Sequence, residues 1–339
     1  MGDIINIYCG GVIHDVLYRH LVWVEGGRAQ VLRERHVPRW KEGGLGGAVI
    51  QVAAFDVIAT LLTEIDRSGG ELTFCKSRED FEQRPDGSFG LFMSLEGHAG
   101  MAGNLDALHL LSEIGITAFT FSHNLQNLLC TGCNERYGDG GFTHVGKATL
   151  KELEQLPMMV DLVHMSRGSF WDALDIYDGD LFVSHSNAAA VFEHPRNLTD
   201  DQIKAVAERN GVIGLNTFRG YVTATPRTAA LSDLIDHAMH MYDLVGAEHI
   251  AIGADYSSAP ELLHNVLEFV DPENAQGVGG PEGIEIYEAG PAGIEDESKI
   301  GQIGVALAER GLSQDEVDLI TGESYLRMLD RARTSAVAS

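Results

Sequence analysis

The chain alternates between short runs of consecutive apolar residues and longer stretches in which apolar residues recur every three or four positions. The short runs lie at 5–12, 48–54, 90–95, 116–122, 158–163, 181–184, 212–216 and 250–254. They are rich in Val, Ile, Leu and Phe and apolar on both faces, as buried parallel strands must be. Helical spacing fills the intervals. In 55–68, Phe55, Ile58, Ala59, Leu62 and Ile65 share one face, and 105–114, 147–156, 231–245 and 300–309 behave alike. Thr199-Asp200-Asp201-Gln202 has the form of a capping box and opens a helix to about Glu208, before Asn210-Gly211. Ser313 caps a last helix predicted over 314–330.

Eight strands alternating with helices predict a (β/α)8 barrel, with residues 1–339 forming one domain; an open doubly wound sheet is the alternative. No internal repeat or linker divides the chain. One irregular stretch, 257–298, carries four prolines and several glycines after the last strand. A long loop on that side of a barrel is expected to cover an active site. Gly43-Gly44-Leu45-Gly46-Gly47 precedes a strand and does not open a helix, so it reads as a tight turn, not a dinucleotide-binding loop.

Charge narrows the partners. Lys and Arg number 24 against 50 Asp and Glu, a formal charge of −26, while 44% of residues are hydrophobic. The apolar share is enough for a large core, and an acidic surface argues against nucleic acid or an anionic membrane as partner. No run of about 18 apolar residues is present, and the N-terminal residues lack the basic and apolar regions of a signal peptide. Four cysteines, Cys9, Cys75, Cys130 and Cys133, are too few for a disulfide framework and suit a reducing cytoplasm, the expected location. Cys130 and Cys133 form a lone C-x-x-C, read as two free thiols on a loop in preference to a structural zinc site.

Polar residues gather where the strands end: Asp15 after the first, then Glu96, His123, His164, His185, Asn216 and Asp255. Each alone has a plain explanation as a helix cap or a partner for loop amides. Together they fall on the C-terminal rim, where barrels build active sites. Imidazole and carboxylate are ligand types for a catalytic divalent cation, which would activate water toward a carbonyl. A free carboxylate could carry the proton to a leaving amine, and a further His could donate to the developing oxyanion. The chain has neither a G-x-S-x-G elbow nor a phosphate-binding G-x-x-x-x-G-K-[ST] loop.

At these positions, from about Gly43 to Arg327, the chain resembles the membrane (renal) dipeptidase family, metallopeptidases on an amidohydrolase-type barrel. The specific pieces are Ser94-Leu95-Glu96-Gly97, Thr120-Phe121-Ser122-His123-Asn124, Met159-Val160-Asp161-Leu162-Val163-His164, Ser184-His185-Ser186-Asn187-Ala188 and His194-Pro195-Arg196-Asn197-Leu198-Thr199-Asp200. Ile252-Gly253-Ala254-Asp255 and Gly322-Glu323-Ser324-Tyr325-Leu326-Arg327 support them. The resemblance implies zinc, one ion or two, and a dipeptide or related small-molecule substrate. It implies Glu96 as a carboxylate bridging two zinc ions, and His164 and His185 as ligands of the second. It further implies His123 at the scissile carbonyl, Arg196 on the substrate carboxylate and Asp255 as a proton shuttle. Members of the family often dimerise, so a homodimer is a further expectation.

The beginning of the chain departs from that pattern. The family's first strand ends in His-x-Asp, holding the first zinc; if Asp15 is that Asp, Ile13 stands in place of the His. His14 is the adjacent residue, and neighbours on a strand face opposite ways. The first site is then weak, empty or rebuilt with His14 or His20. Three readings follow: a zinc dipeptidase, a related hydrolase of a non-peptide amide or lactam, or a ligand-binding relative without catalysis.

Overall fold

A computed structural model describes residues 3–9, 12, 30–52, 55–96, 103–256 and 289–338. Among them nine strands run parallel: β1 (Ile4–Cys9), β2 (Leu45–Val52), β3 (Leu72–Phe74), β4 (Phe89–Glu96), β5 (Ile116–Thr120), β6 (Met159–Asp161), β7 (Leu181–Ser186), β8 (Ile213–Leu215) and β9 (Ile250–Ile252). Their order is β2-β1-β9-β8-β7-β6-β5-β4-β3, and β2 also pairs with β4. That last pairing, from Gly47 opposite Gly90 to Val52 opposite Leu95, closes a ring of eight strands and leaves β3 outside it. The expected (β/α)8 barrel is therefore present, and the open sheet is not.

All eight expected strands form, within a few residues of their predicted ends where these are described. β3 was not expected: three residues carry too little pattern, and it pairs only with the early half of β4 while β5 takes the later half. The expected helices form as Phe55–Asp66, Asp106–Ile114, His144–Leu153, Asp200–Glu208, Leu231–Val245 and Gln302–Glu309. Thr199 makes both bonds of its capping box, and so does Ser313. After Ser313 the helix widens over Leu319–Glu323, where Gly322 leaves helical geometry, before resuming as Ser324–Ala338. Several helical segments were missed, the short Arg78–Glu82 and Arg219–Val222 among them. Arg167–Ile176 is capped by Ser166. The turn from Leu32 through Glu42 has its first amides met from afar: buried Glu64 accepts from Val31 and Leu32 N–H at 3.1 and 2.9 Å. The glycine run divides in two: Gly43 and Gly44 make the turn, and β2 begins at Leu45. Of the irregular stretch after the last strand, residues 257–288 lie outside the described residues. No helix among the described residues is long and apolar enough to cross a membrane.

Strand alternation divides the core into two layers. Ile4, Ile50, Leu91, Met93 and Leu95 face the helices in the larger apolar cluster. Ile5, Ile7, Val49, Phe92, Ala118, Met159, Phe182 and Ala251 form a second cluster inside the barrel. Phe81 from one side and Tyr325, Met328 and Leu329 of the last helix close it.

Of the register slips between the described strands, two bear on the site. Between β7 and β8, Val183 pairs with Ile213 and Ser186 with Leu215, so β7 carries one extra residue there. Between β1 and β2, Asn6 pairs with Ala48 and Cys9 with Ile50, an extra residue on β1. Such slips turn side chains that regular alternation would send to the other face. Glycine makes room for the first. A Cβ on Gly214 or on Gly253 would stand 1.9 Å from the Ser184 carbonyl oxygen. The backbone of β7 thus bends into space that only glycine leaves. Gly253→Ala is expected to lower the unfolding free energy by about 1–3 kcal/mol or more, since backbone would have to yield. Urea unfolding measures it, and unchanged stability would show that β7 is not pinned there.

Candidate metal centre

Because every strand points the same way, their C-terminal ends share one rim. Glu96 is the last residue of β4, and strict alternation from Phe92 through Ser94 turns it inward. His164 follows β6 in a left-handed conformation, φ 63°, which costs a non-glycine residue about 1–3 kcal/mol. Neighbouring contacts hold it there. Its carbonyl accepts from Cys133 N–H at 2.8 Å and from Ser122 Oγ at 3.3 Å. His185 lies on the slipped part of β7. Asp161 steadies that part: its Oδ1 accepts from Ser184 N–H at 3.0 Å and Val163 N–H at 3.1 Å, and its Oδ2 from Thr120 Oγ1 at 3.1 Å. These bonds make Asp161 a buried partner for one amide of β7 and one just past β6.

The three side chains converge. Their ligand-type atoms lie within 4.8 Å of one another. His164 Nε2 is 3.2 Å from His185 Nε2 and 3.5 Å from Glu96 Oε1. His164 Nδ1 is 3.0 Å from Asn124 Oδ1, and an amide oxygen can only accept, so Nδ1 carries the proton and Nε2 a lone pair. Ser184 Oγ, 2.8 Å from His185 Nδ1, can orient that ring the same way. Burial holds both imidazoles well below their ordinary pKa, the Arg196 charge adds to it, and both rings stay neutral. Glu96 Oε1 is buried and accepts no hydrogen bond among the described residues. Two lone pairs and an orphaned carboxylate oxygen aimed at one point fit a divalent cation.

Two further carboxyl features surround this point. Burial raises Glu96 to about 7, against the hydrogen bond from Tyr8. Asp255, in a left-handed conformation with φ 42° after β9, is also raised by burial to about 7, against the pull of Arg196 and Asn216. Its Oδ2 lies 4.0 Å from His185 Nε2 and accepts from Asn216 Nδ2 at 3.3 Å. A cation would draw both acids down again.

The other expected residues fall around the same centre, with one outside view. His123 is exposed, its ring centroid 4.3 Å from that of His164. Arg196 is buried at 4% exposure, donates from Nη2 to the His185 carbonyl at 3.3 Å and lies 5.2 Å from the Tyr221 ring. Its Nε has no hydrogen-bond partner among the described residues. Asp15, with Ile13, His14 and His20, lies outside the described residues. Cys130 and Cys133 are free thiols, and it is the backbone of Cys133 that serves the site, through His164. Sequence reasoning missed Tyr8. Its hydroxyl donates to Glu96 Oε2 at 2.8 Å, and its ring stacks on His185 with centroids 3.5 Å apart. It sits in an apolar run beside inward-facing Ile7, so alternation hides it; only the slip on β1 turns it in. Asn124 was visible in its motif, but its partner was not.

The family model for membrane dipeptidases (peptidase family M19) matches residues 50–271 of this chain. The chain belongs to the membrane dipeptidase family. Among similar proteins, an uncharacterized dipeptidase of Schizosaccharomyces pombe is 30% identical over 238 residues, which is 70% of this chain and 51% of that protein. An uncharacterized protein of Klebsiella pneumoniae is 29% identical over 220 residues, 62% of this chain and 81% of that one. The chain thus spans about half the length of the yeast relative. Among solved structures, a dipeptidase of family M19 superposes with a TM-score of 0.77 at 21% identity, covering 97% of this chain and 98% of the other. A Rhodobacter sphaeroides metallopeptidase, bound to a phosphinate mimic of L-Ala-D-Ala, does so with 0.74 at 20%, covering 97% and 100%. In this member of the membrane dipeptidase family, the shell around the rim residues is open to test. Asn124→Ala removes the acceptor that fixes the His164 tautomer, and zinc affinity is expected to fall by about 10-fold or more. Isothermal titration calorimetry on the demetallated protein reads this, and unchanged affinity would show that Asn124 does not orient the ligand.

Proposed function

We propose that this protein is a zinc-dependent dipeptidase that cleaves short peptides bearing a free carboxylate. The observation that carries this reading is the convergence of Glu96 Oε1, His164 Nε2 and His185 Nε2 on one buried point. Two imidazoles and a carboxylate are a donor set characteristic of catalytic zinc, which supplies Lewis acidity toward a carbonyl and a more acidic water. The dipeptide mimic held by the Rhodobacter sphaeroides relative supports the substrate class.

The remaining residues have roles their geometry permits. Asp255, with a carboxyl oxygen 4.0 Å from His185 Nε2, takes the proton released as the nucleophile forms and returns it to the leaving amine. His123, exposed with its ring tilted against that of His164, donates to the carbonyl oxygen as it gains charge. Arg196 grips the substrate carboxylate with donors its present contacts leave unused. Its positive charge offsets part of the surrounding acidity, which also helps keep both imidazoles neutral. Four cysteines, too few for a disulfide framework, suit a reducing cytoplasm as the place of action.

Two experiments test this. Chelation should abolish hydrolysis of an Ala-Ala-type substrate and added zinc should restore it; no hydrolysis across a broad dipeptide panel would refute the reading. If N-acyl amino acids or cyclic amides are cleaved instead, the chemistry stands and the substrate class is wrong. Arg196→Ala should cost at least about 10-fold more in kcat/KM for dipeptides with a free carboxylate than for their amidated forms, as lost charged hydrogen bonds are worth about 1.5–3 kcal/mol. Equal losses on both would make Arg196 structural.

A further inference from the structure

We infer that Glu96 serves one cation and does not bridge two, because Tyr8 holds the carboxylate oxygen that would face a second. The inference rests on the metal-dependent reading above and concerns the same site. A carboxylate that bridges two cations gives one oxygen to each. Here Glu96 Oε2 accepts the Tyr8 hydroxyl at 2.8 Å, while Oε1 alone is left without a hydrogen bond among the described residues. A cation on Oε2 would compete with the hydrogen bond from the Tyr8 hydroxyl for that oxygen.

Tyr8 is not free to withdraw. Its ring stacks on the His185 imidazole, 3.5 Å between centroids and 30° between planes, so it walls one side of a ligand. The slip that turns it inward is locked by Asn6, whose Oδ1 accepts from Tyr8 N–H at 3.3 Å and from Ala254 N–H at 2.8 Å. That second bond ties β1 to the strand end that carries Asp255. The same three contacts give Tyr8 a positive role: it fixes the rotation of the Glu96 carboxylate, so that Oε1 faces the two Nε2 atoms.

Charge points the same way. Glu96 feels Asp255, Asp161 and Arg196 as its charged neighbours among the described residues. With the carboxylates ionised, these described residues carry three negative charges and one positive charge, a surplus of two that one divalent cation cancels.

The test uses the full chain, demetallated and titrated with zinc by calorimetry, with metal counted by elemental analysis after dialysis. One tightly bound equivalent per chain is expected. Two tightly bound equivalents would overturn this inference and leave the proposed dipeptidase intact, whereas none would overturn both. Tyr8→Phe keeps the ring and deletes the hydroxyl. It should still bind one equivalent, with affinity about 10- to 100-fold lower, the range for loss of a group that orients a ligand. A folded Tyr8→Phe protein that binds zinc as tightly as the parent would overturn the positioning role.

Discussion

Two buried, neutral imidazoles meet at a steep angle, their Nε2 atoms 3.2 Å apart, and 3.5 Å from one of them lies a carboxylate oxygen that accepts no hydrogen bond among the described residues. Electron pairs concentrated in this way in a low-dielectric site need a positive partner, and most of the rim is arranged around that need. Asn124 sets one ring and Ser184 can set the other. Asp161 holds the amide of the slipped strand, and the carbonyl of His164 is tied to Cys133 and Ser122. Left-handed backbone at His164 and Asp255 is the conformational cost of placing both at the centre.

The barrel makes this convergence possible, but a regular barrel would not complete it. Alternation alone brings Glu96 inward from β4. His185 and Tyr8 reach the centre only because β7 and β1 each carry an extra residue opposite their neighbours. The glycines at 214 and 253 are part of the same device, since they vacate the space into which the Ser184 carbonyl moves. Rim chemistry and strand register are thus one problem here, solved by close backbone approach.

That division also explains what the amino-acid pattern revealed. The barrel was legible because buried parallel strands are apolar on both faces and alternate with amphipathic helices. Glu96, His164, His185 and Asp255 were legible because each is a polar residue standing at the end of such a run, and Arg196 through its His-Pro-Arg-Asn motif. Tyr8 was illegible, since it lies within an apolar run and its direction depends on a slip between strands. The turn from Leu32 was illegible because Glu64, a residue of another helix, supplies its cap. β3 is simply too short to leave a period. The first-strand ligands expected near Asp15 lie outside the described residues, and within them it is Tyr8 that meets Glu96 from β1.

The central claim is that Glu96, His164 and His185 hold one divalent cation between them. Crystals of the zinc-loaded protein, with diffraction recorded on either side of the zinc absorption edge, test it most directly. The account predicts an anomalous peak within bonding distance, about 2.0–2.2 Å, of Glu96 Oε1 and both Nε2 atoms. A peak bound elsewhere, or these three side chains directed away from a common centre, would contradict it.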